Sequence, residues 1–241
     1  MVGATPTYYE VHGSGQPLLL LHGGMCTLET MEAQLSGLAT GFQVIAAERR
    51  GHGRTPDVPG PITYAAMAED TLLLMDALGI ASAHVVGWSD GAMVGLRLAL
   101  LCPERVRSLV FMGQSVTLEG MRPGVVELLR STTPAMLPAA LVAGYAKLSP
   151  DGPQRLDTVL SKMRVLWGEP TGVTLADLGG LAVPALVLIG DADLVLVEHA
   201  LAVQSAMPRA RLGVVPGAAH TMPADKPDLV NRIILDFLTG L

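Results

Sequence analysis

The stretch "HVVGWSDGAMVGLRLAL", His84 to Leu100, decides how this chain is read. One apolar run stops at Gly87 and a second begins near Ala92, with Trp88-Ser89-Asp90-Gly91 between them. A buried strand that turns sharply into a buried helix strains the backbone at the turn and leaves that residue's side chain standing clear. The positions two before and two after it, Gly87 and Gly91, then have to lack bulk. The helix that follows aims free N–H groups back at the turn, where they stabilise negative charge. Ser89 is therefore a candidate nucleophile, against the plainer alternative of a loop serine at a glycine turn.

Outward from this point the chain alternates. Continuous apolar runs at Pro17–Gly23, Gln43–Glu48, Val106–Gly113, Pro184–Asp191 and Ala210–Gly217 read as strands covered on both faces. An alternating stretch, Thr7–Gly13, turns at Gly-Ser-Gly and reads as an edge hairpin. Helical patterns fall between the runs, at Leu28–Leu38, from a Thr63 cap to Leu78 with Gly79 as stop, at Ala92–Leu101, Glu198–Met207 and Asp228–Leu238. Strand–helix alternation of this kind predicts an α/β fold with a mostly parallel central sheet and helices on both faces. Residues 117–181 break the rhythm. They carry no convincing strand and are cut by Pro123, Pro134, Pro138, Pro150, Pro153 and Pro170. The expected organisation is a core of residues 1–116 and 182–241, with 117–181 as a small helical lid over the carboxyl edge of the sheet.

Composition narrows the function classes. The chain has 241 residues, half of them apolar and only 16% charged, so one domain can bury a large core. No run approaches the ~20 apolar residues of a membrane span, and "MVGATPTYYEVHG" has neither the basic start nor the apolar core of a signal peptide. A net charge of −6 without basic clusters argues against nucleic acid. Cys26 and Cys102 are too few for a disulfide framework and do not have the spacing of a zinc site, so a reduced, cytoplasmic protein is expected. Metal motifs such as H-E-x-x-H and the dinucleotide pattern G-x-G-x-x-G are absent, so neither metal nor cofactor is expected.

Parallel α/β sheets bind ligands beyond the carboxyl ends of their strands. A serine hydroxyl needs an adjacent base there. Of six histidines, His12 belongs to the early strand, His84 starts the strand leading to Ser89, His199 lies in a helix, and His52 sits in the Gly-rich "RGHGRT" loop, where a structural role fits. His22 ends a strand but is followed by two glycines; His220, in "PGAAHTM" after the last strand, is free to lean over the sheet and is the expected base. The carboxylate that orients it is expected at Asp193 in "GDAD", with Asp191 as the alternative and Glu119 a weaker one. An oxyanion needs two fixed N–H donors. These are expected from the backbone of Asp90 and of Gly24, with Met25 the second choice for the latter.

With these residues in place the chain resembles the α/β-hydrolase superfamily over nearly its whole length. His22-Gly23-Gly24, "RGHGRT", the elbow, "GDAD" and "GAAH" carry the likeness, which implies the same triad of Ser89, Asp193 and His220. Two positions depart from the usual pattern: Glu48 stands where Asp is frequent, and Leu194-Val195 where a proline often follows the triad acid. The Gly-Trp-Ser-Asp-Gly elbow is similar to that of the biphenyl hydrolase-like (valacyclovir hydrolase) group. That resemblance implies that Asp90 can hold a substrate ammonium, and a carboxylate beside an oxyanion site does call for a compensating cation. The alternative is that Asp90 merely favours the helix N-terminus.

The expected activity is a serine hydrolase acting on small carboxylic esters with an apolar acyl or alcohol part. Met25, Trp88, Asp90, Met121, Met136, Trp167 and Met222 are the expected lining. Lactone, enol-lactone or carbon–carbon bond hydrolysis, amino-acid ester hydrolysis through Asp90, and perhydrolase or cofactor-free haloperoxidase chemistry use the same triad and stay open. A non-catalytic binding protein is the alternative from another class. The expected partner is a small-molecule ester, with the chain a monomer or homodimer.

Overall fold

The computed structural model describes residues 6–241; the first five residues of the N-terminal reading lie outside it. In chain order the strands are β1 (Tyr9–His12), β2 (Gln16–Leu21), β3 (Phe42–Ala47), β4 (Ala83–Trp88), β5 (Val106–Met112), β6 (Ala185–Gly190) and β7 (Ala210–Val215). The helices are α1 (Glu32–Leu38), α2 (Tyr64–Ala77), α3 (Asp90–Leu101), α4 (Val125–Ser131), α5 (Ala139–Leu148), α6 (Leu156–Gly168), α7 (Val197–Ala206), α8 (Met222–Asp225) and α9 (Pro227–Thr239). The seven strands form one sheet in the order β1-β3-β2-β4-β5-β6-β7, parallel except for β1.

Side-chain alternation along the interior strands divides the core into two layers. In β2, Leu19 and Leu21 face one layer and Leu18 and Leu20 the other, each at most 1% exposed. In β5, Leu109 and Phe111 oppose Val110 and Met112 in the same way. Burial on both faces explains why these strands read as unbroken apolar runs; each such side chain contributes about 1.5–3 kcal/mol. One layer is covered by α2, α3 and α7, the other by α1 and α9. The side chain of Thr63 caps α2 by accepting the Ala66 N–H, as its position before the helix predicts.

The first strand corrects the hairpin expectation. β1 lies at the sheet edge but pairs antiparallel with β3, from Tyr9 opposite Ala47 to His12 opposite Val44, rather than with β2 across the Gly-Ser-Gly turn. The reason is burial. The four leucines of β2 place it in the interior, bonded to β3 and β4 on its two sides, while the exposed face of β1 is tolerated only at an edge.

Residues 117–181 hold α4, α5 and α6 joined by short 3-10 turns, and among the described residues no strand. Their attachments were invisible in the sequence. Asp57, after β3, takes Lys162 at 2.6 Å and Arg155 at 2.9 Å. An isolated antiparallel bridge joins Met121 to Val195, and the Arg122 N–H donates to the Leu194 carbonyl at 2.8 Å. No helix of the described residues is long and apolar enough to cross a membrane.

At the elbow the close approach is between backbones. A Cβ at Gly91 would lie 2.2 Å from the carbonyl oxygen of Leu21, and one at Gly87 would lie 2.3 Å from that of Gly91. Gly91→Ala therefore has to push α3 off β2, and it is expected to lower stability by about 1–3 kcal/mol in a denaturant titration; an unchanged midpoint would contradict this packing.

Candidate active site

Every strand from β2 to β7 delivers a polar residue to the same sheet edge, and the elbow sits in the middle. Ser89 has φ 55° and ψ −125°, and with Met25 (φ 55°) it is one of two non-glycine residues with positive φ among those described. Both lie at this edge, where backbone strain concentrates at functional sites. The Ser89 N–H is held by the Met112 carbonyl at 2.8 Å, and its side chain remains partly exposed.

The structure brings the three expected residues together. His220 Nε2 lies 3.0 Å from Ser89 Oγ, and His220 Nδ1 lies 2.8 Å from Asp193 Oδ1. With Nδ1–H donating to the carboxylate, Nε2 is left to accept the serine proton. Asp193 is fully buried, and its Oδ1 also accepts the Leu194 N–H at 2.7 Å. Asp191 does something else: its carboxylate accepts the N–H groups of Gly217 and Ala218, bracing the turn that carries His220. Those bonds, the one from Gly217 first, hold its carboxyl below the usual carboxylate range. The choice between the two aspartates thus follows from reach, since Asp193 stands two residues further along the loop. Arg122 clamps that loop by donating to the carbonyls of Asp193 (2.6 Å) and Asp191 (3.0 Å).

The remaining histidines are accounted for. His12 pairs with Glu10, His84 with Ser108 and Gln16, and His199 accepts the Val116 N–H. His22 is buried with its Nδ1 on the Gly23 carbonyl (2.7 Å) and its Nε2 on the Arg49 N–H (3.3 Å), and its ring centroid is 5.3 Å from that of His52.

Two expected donors have free N–H groups. Among the described residues, the backbone N–H of Gly24 and that of Asp90 donate to no protein acceptor. The Asp90 side chain, 1% exposed, is turned over the Gly24 backbone, where an added Cβ would lie 2.2 Å from its Oδ2. Its Oδ1 accepts the Tyr64 hydroxyl at 2.6 Å and its Oδ2 the Trp167 indole N–H at 2.8 Å. Burial first, and Asp90 second, keep the Tyr64 phenol well above its ordinary range, so it stays a donor. Tyr64 escaped the sequence reading because it is the first residue of a helix remote in sequence; only the cap at Thr63 marked it.

The expected lining is reached unevenly. Trp88 donates its indole N–H to the His220 carbonyl (2.9 Å) and lies against the imidazole at a centroid distance of 5.5 Å, so it holds the His220 ring in place. Trp167 reaches the site through Asp90. Met25 is buried beside Gly24, and Met121 packs partly buried against the core. Met222 is 0% exposed and lies in the core layer that also holds Trp88 and Ile234, and Met136 stands 49% exposed on the 134–136 turn. Spacing gave no sign of either, because a methionine reads alike in core, pocket and surface. Among the described residues no group of three or more His, Cys, Asp or Glu side chains is placed to hold a metal.

The model of the alpha/beta hydrolase family matches residues 18–233. The protein RutD of Azorhizobium caulinodans, assigned as a carbamate hydrolase, is 29% identical over 256 residues, spanning 98% of this chain and 96% of the relative. The meta-cleavage product hydrolase CumD of Pseudomonas fluorescens IP01 superposes with a TM-score of 0.83 at 23% identity, over 98% of this chain and 95% of its own. The enol-lactonase of Burkholderia xenovorans LB400 does so with a TM-score of 0.76 at 24% identity, over 99% and 98%. At that identity the two structures share the fold.

The buried histidines predict an acid-sensitive stability. Burial, reinforced by the Arg49 charge, pushes His52 down to about 3 from 6.5, and His22 well down. The unfolded chain therefore takes up these protons below pH ~6.5 while the folded one does not, and stability falls as the pH is lowered from there towards about 3. Each histidine adds a slope of up to about 1.4 kcal/mol per pH unit inside that window. His52→Asn, whose amide can replace the Nδ1–H bond to the Arg50 carbonyl (2.9 Å), is expected to flatten the melting temperature between pH 6 and 4. A curve shifted without a change in slope would contradict the assignment.

Proposed function

The chain belongs to the alpha/beta hydrolase family, and from that premise we propose that it is a serine hydrolase cleaving small, largely apolar carboxylic esters through an acyl-enzyme on Ser89. The supporting observation is the unbroken path from Asp193 through His220 to Ser89, at 2.8 and 3.0 Å, ending on a strained turn. His220 takes the serine proton as Oγ attacks the acyl carbon, and the charge on the acyl oxygen is received by the N–H groups of Gly24 and Asp90. The imidazolium is stabilised by Asp193 and returns its proton to the leaving alcohol. Water, activated by the same imidazole, then releases the acid.

Residues 117–181 serve in this reading as the lid. They meet the site through Trp167, whose indole is bound to Asp90. Apolar residues of the segment, with Trp88 and Met25 opposite, suit an acyl or alcohol group without charge. The likeness to RutD supports a second reading, in which the cleaved acyl group is a carbamate; the triad treats both carbonyls alike. An amino-acid ester is less favoured, because both oxygens of the Asp90 carboxylate already accept hydrogen bonds from within the chain.

The test is a hydrolysis panel of aryl and alkyl esters, a carbamate, an enol-lactone and a β-diketone, run on wild type and on Ser89→Ala. Wild type is expected to turn over the neutral esters fastest, and Ser89→Ala to abolish turnover of each substrate it accepts. An unaffected Ser89→Ala rate would refute the mechanism, and a preference for the carbamate would move the substrate to the second reading. Asp193→Asn is expected to lower kcat by about 10³–10⁴-fold, whereas Asp191→Asn loosens the turn before His220 and costs much less turnover.

A further inference from the structure

Arg49 is a buried cation with no salt bridge. It is 5% exposed, and among the described residues no carboxylate lies within 4 Å of its guanidinium. Burial presses its pKa below the ordinary arginine range, and the carboxylate of Asp90 is the first group that counters this. An isolated buried charge is costly, so the use made of the guanidinium is informative. It donates from Nη1 to the His22 carbonyl and from Nη2 to the Gly23 carbonyl at 3.1 Å, while its own main-chain N–H holds His22 Nε2. The register explains the reach: β2 and β3 run parallel with Leu21 opposite Ala47, so the chain after each strand emerges side by side.

The Gly23 carbonyl belongs to the same peptide unit as the Gly24 N–H. That unit is trans, since the described chain contains no cis peptide, so its N–H points away from the carbonyl and from Arg49. It is the N–H left without a protein acceptor. Gly23 itself lies against the nucleophile, since a Cβ there would be 3.4 Å from Ser89 Cβ. Directly across Gly24 sits the Asp90 carboxylate, a negative charge where a second one is to develop.

We propose that Arg49 is a positioning residue for the oxyanion site: its guanidinium fixes and polarises the Gly23–Gly24 peptide so that the Gly24 N–H faces the reacting carbonyl, and its charge offsets Asp90 as the oxyanion forms. The inference rests on the reading of Ser89 as nucleophile. It explains why the loop tolerates a buried arginine without a partner in contact, and why a carboxylate can stand next to an oxyanion site. Lysine is no substitute, because a single ammonium does not present the planar fork that spans two successive carbonyls.

The experiment compares wild type, Arg49→Lys, Asp90→Asn and the double variant Arg49→Met/Asp90→Asn. The double variant removes both charges together, so neither is left buried alone. Each protein is melted, assayed on p-nitrophenyl acetate, and titrated with phenylboronic acid, whose tetrahedral adduct on the serine mimics the charged intermediate. The double variant is expected to fold, to keep the KM of Asp90→Asn, and to lose ~10²-fold in kcat relative to it. Boronate affinity should fall by a similar factor, and added guanidinium ion should restore part of the rate. Arg49→Lys, which keeps the charge, is expected to lose at least ~10-fold in kcat without a matching drop in melting temperature. A folded double variant with the kcat and boronate affinity of Asp90→Asn overturns the proposal, as does a fully active Arg49→Lys. Wild type that reacts with neither a fluorophosphonate nor the boronate overturns the nucleophile reading itself, and this one with it.

Discussion

Two backbones in this molecule lie closer than any side chain would permit, and the site is a consequence. The first turn of α3 rests directly on the end of β2, Gly91 against the Leu21 carbonyl, with Gly87 equally tight beneath the turn. The contact leaves the elbow one route from strand to helix, which holds Ser89 at φ 55°. The strain persists because its surroundings over-determine it: β4 is wholly buried, α3 is buried from Gly91 to Leu96, and Gly95 lets the helix settle onto Val85. The same contact brings the start of α3 under the His22–Met25 loop. Two segments that meet nowhere in sequence thereby present unengaged N–H groups to one place.

Charge is organised around that contact at second remove. Arg49 and Asp90 do not touch, yet the Asp90 carboxylate is the first group that offsets the burial of the Arg49 charge. A direct salt bridge would satisfy both and leave neither able to act on the backbone between them. The separation instead commits the guanidinium to two carbonyls and the carboxylate to Tyr64 and Trp167. Because Trp167 belongs to α6, the position of residues 117–181 is tied to the residue that follows the nucleophile. A change in that segment therefore reaches the site by two routes, the Trp167–Asp90 hydrogen bond and Arg122, whose guanidinium holds the carbonyls of Asp191 and Asp193.

The fold was legible wherever one physical signal dominated. Unbroken apolar runs marked the interior strands, a Thr63 cap and a Gly79 stop bounded α2, and Gly87 with Gly91 declared the elbow. Ser89, Asp193 and His220 were legible as candidates because each lies at or in the loop just after the carboxyl end of a strand, and those ends meet at one edge. What escaped depends on pairing between distant positions. The partner of β1 is set by which strand the sheet can afford to leave at its edge, a property of the whole sheet. Tyr64, Arg49 and Arg122 act through side-chain hydrogen bonds to residues between 26 and 71 positions away. The methionines are hard to place from sequence for a different reason. Met222 and Met25 are both buried and apolar, and only their place relative to β4 and Gly24 separates core from site.

Asp90 is where these strands of argument meet. From sequence, a carboxylate beside an oxyanion site demanded a cation, and a substrate ammonium was one way to supply it. The chain supplies its own from the opposite side of the Gly23–Gly24 peptide, and donors on both carboxylate oxygens complete the compensation. An incoming ammonium would have to share oxygens already engaged by a buried phenol and a buried indole. A neutral substrate, as proposed, would leave that network intact, with Asp90 still holding the Trp167 indole. In the proposed reading the acidic residue of the elbow is thus an anchor for Tyr64 and Trp167 rather than a recognition element.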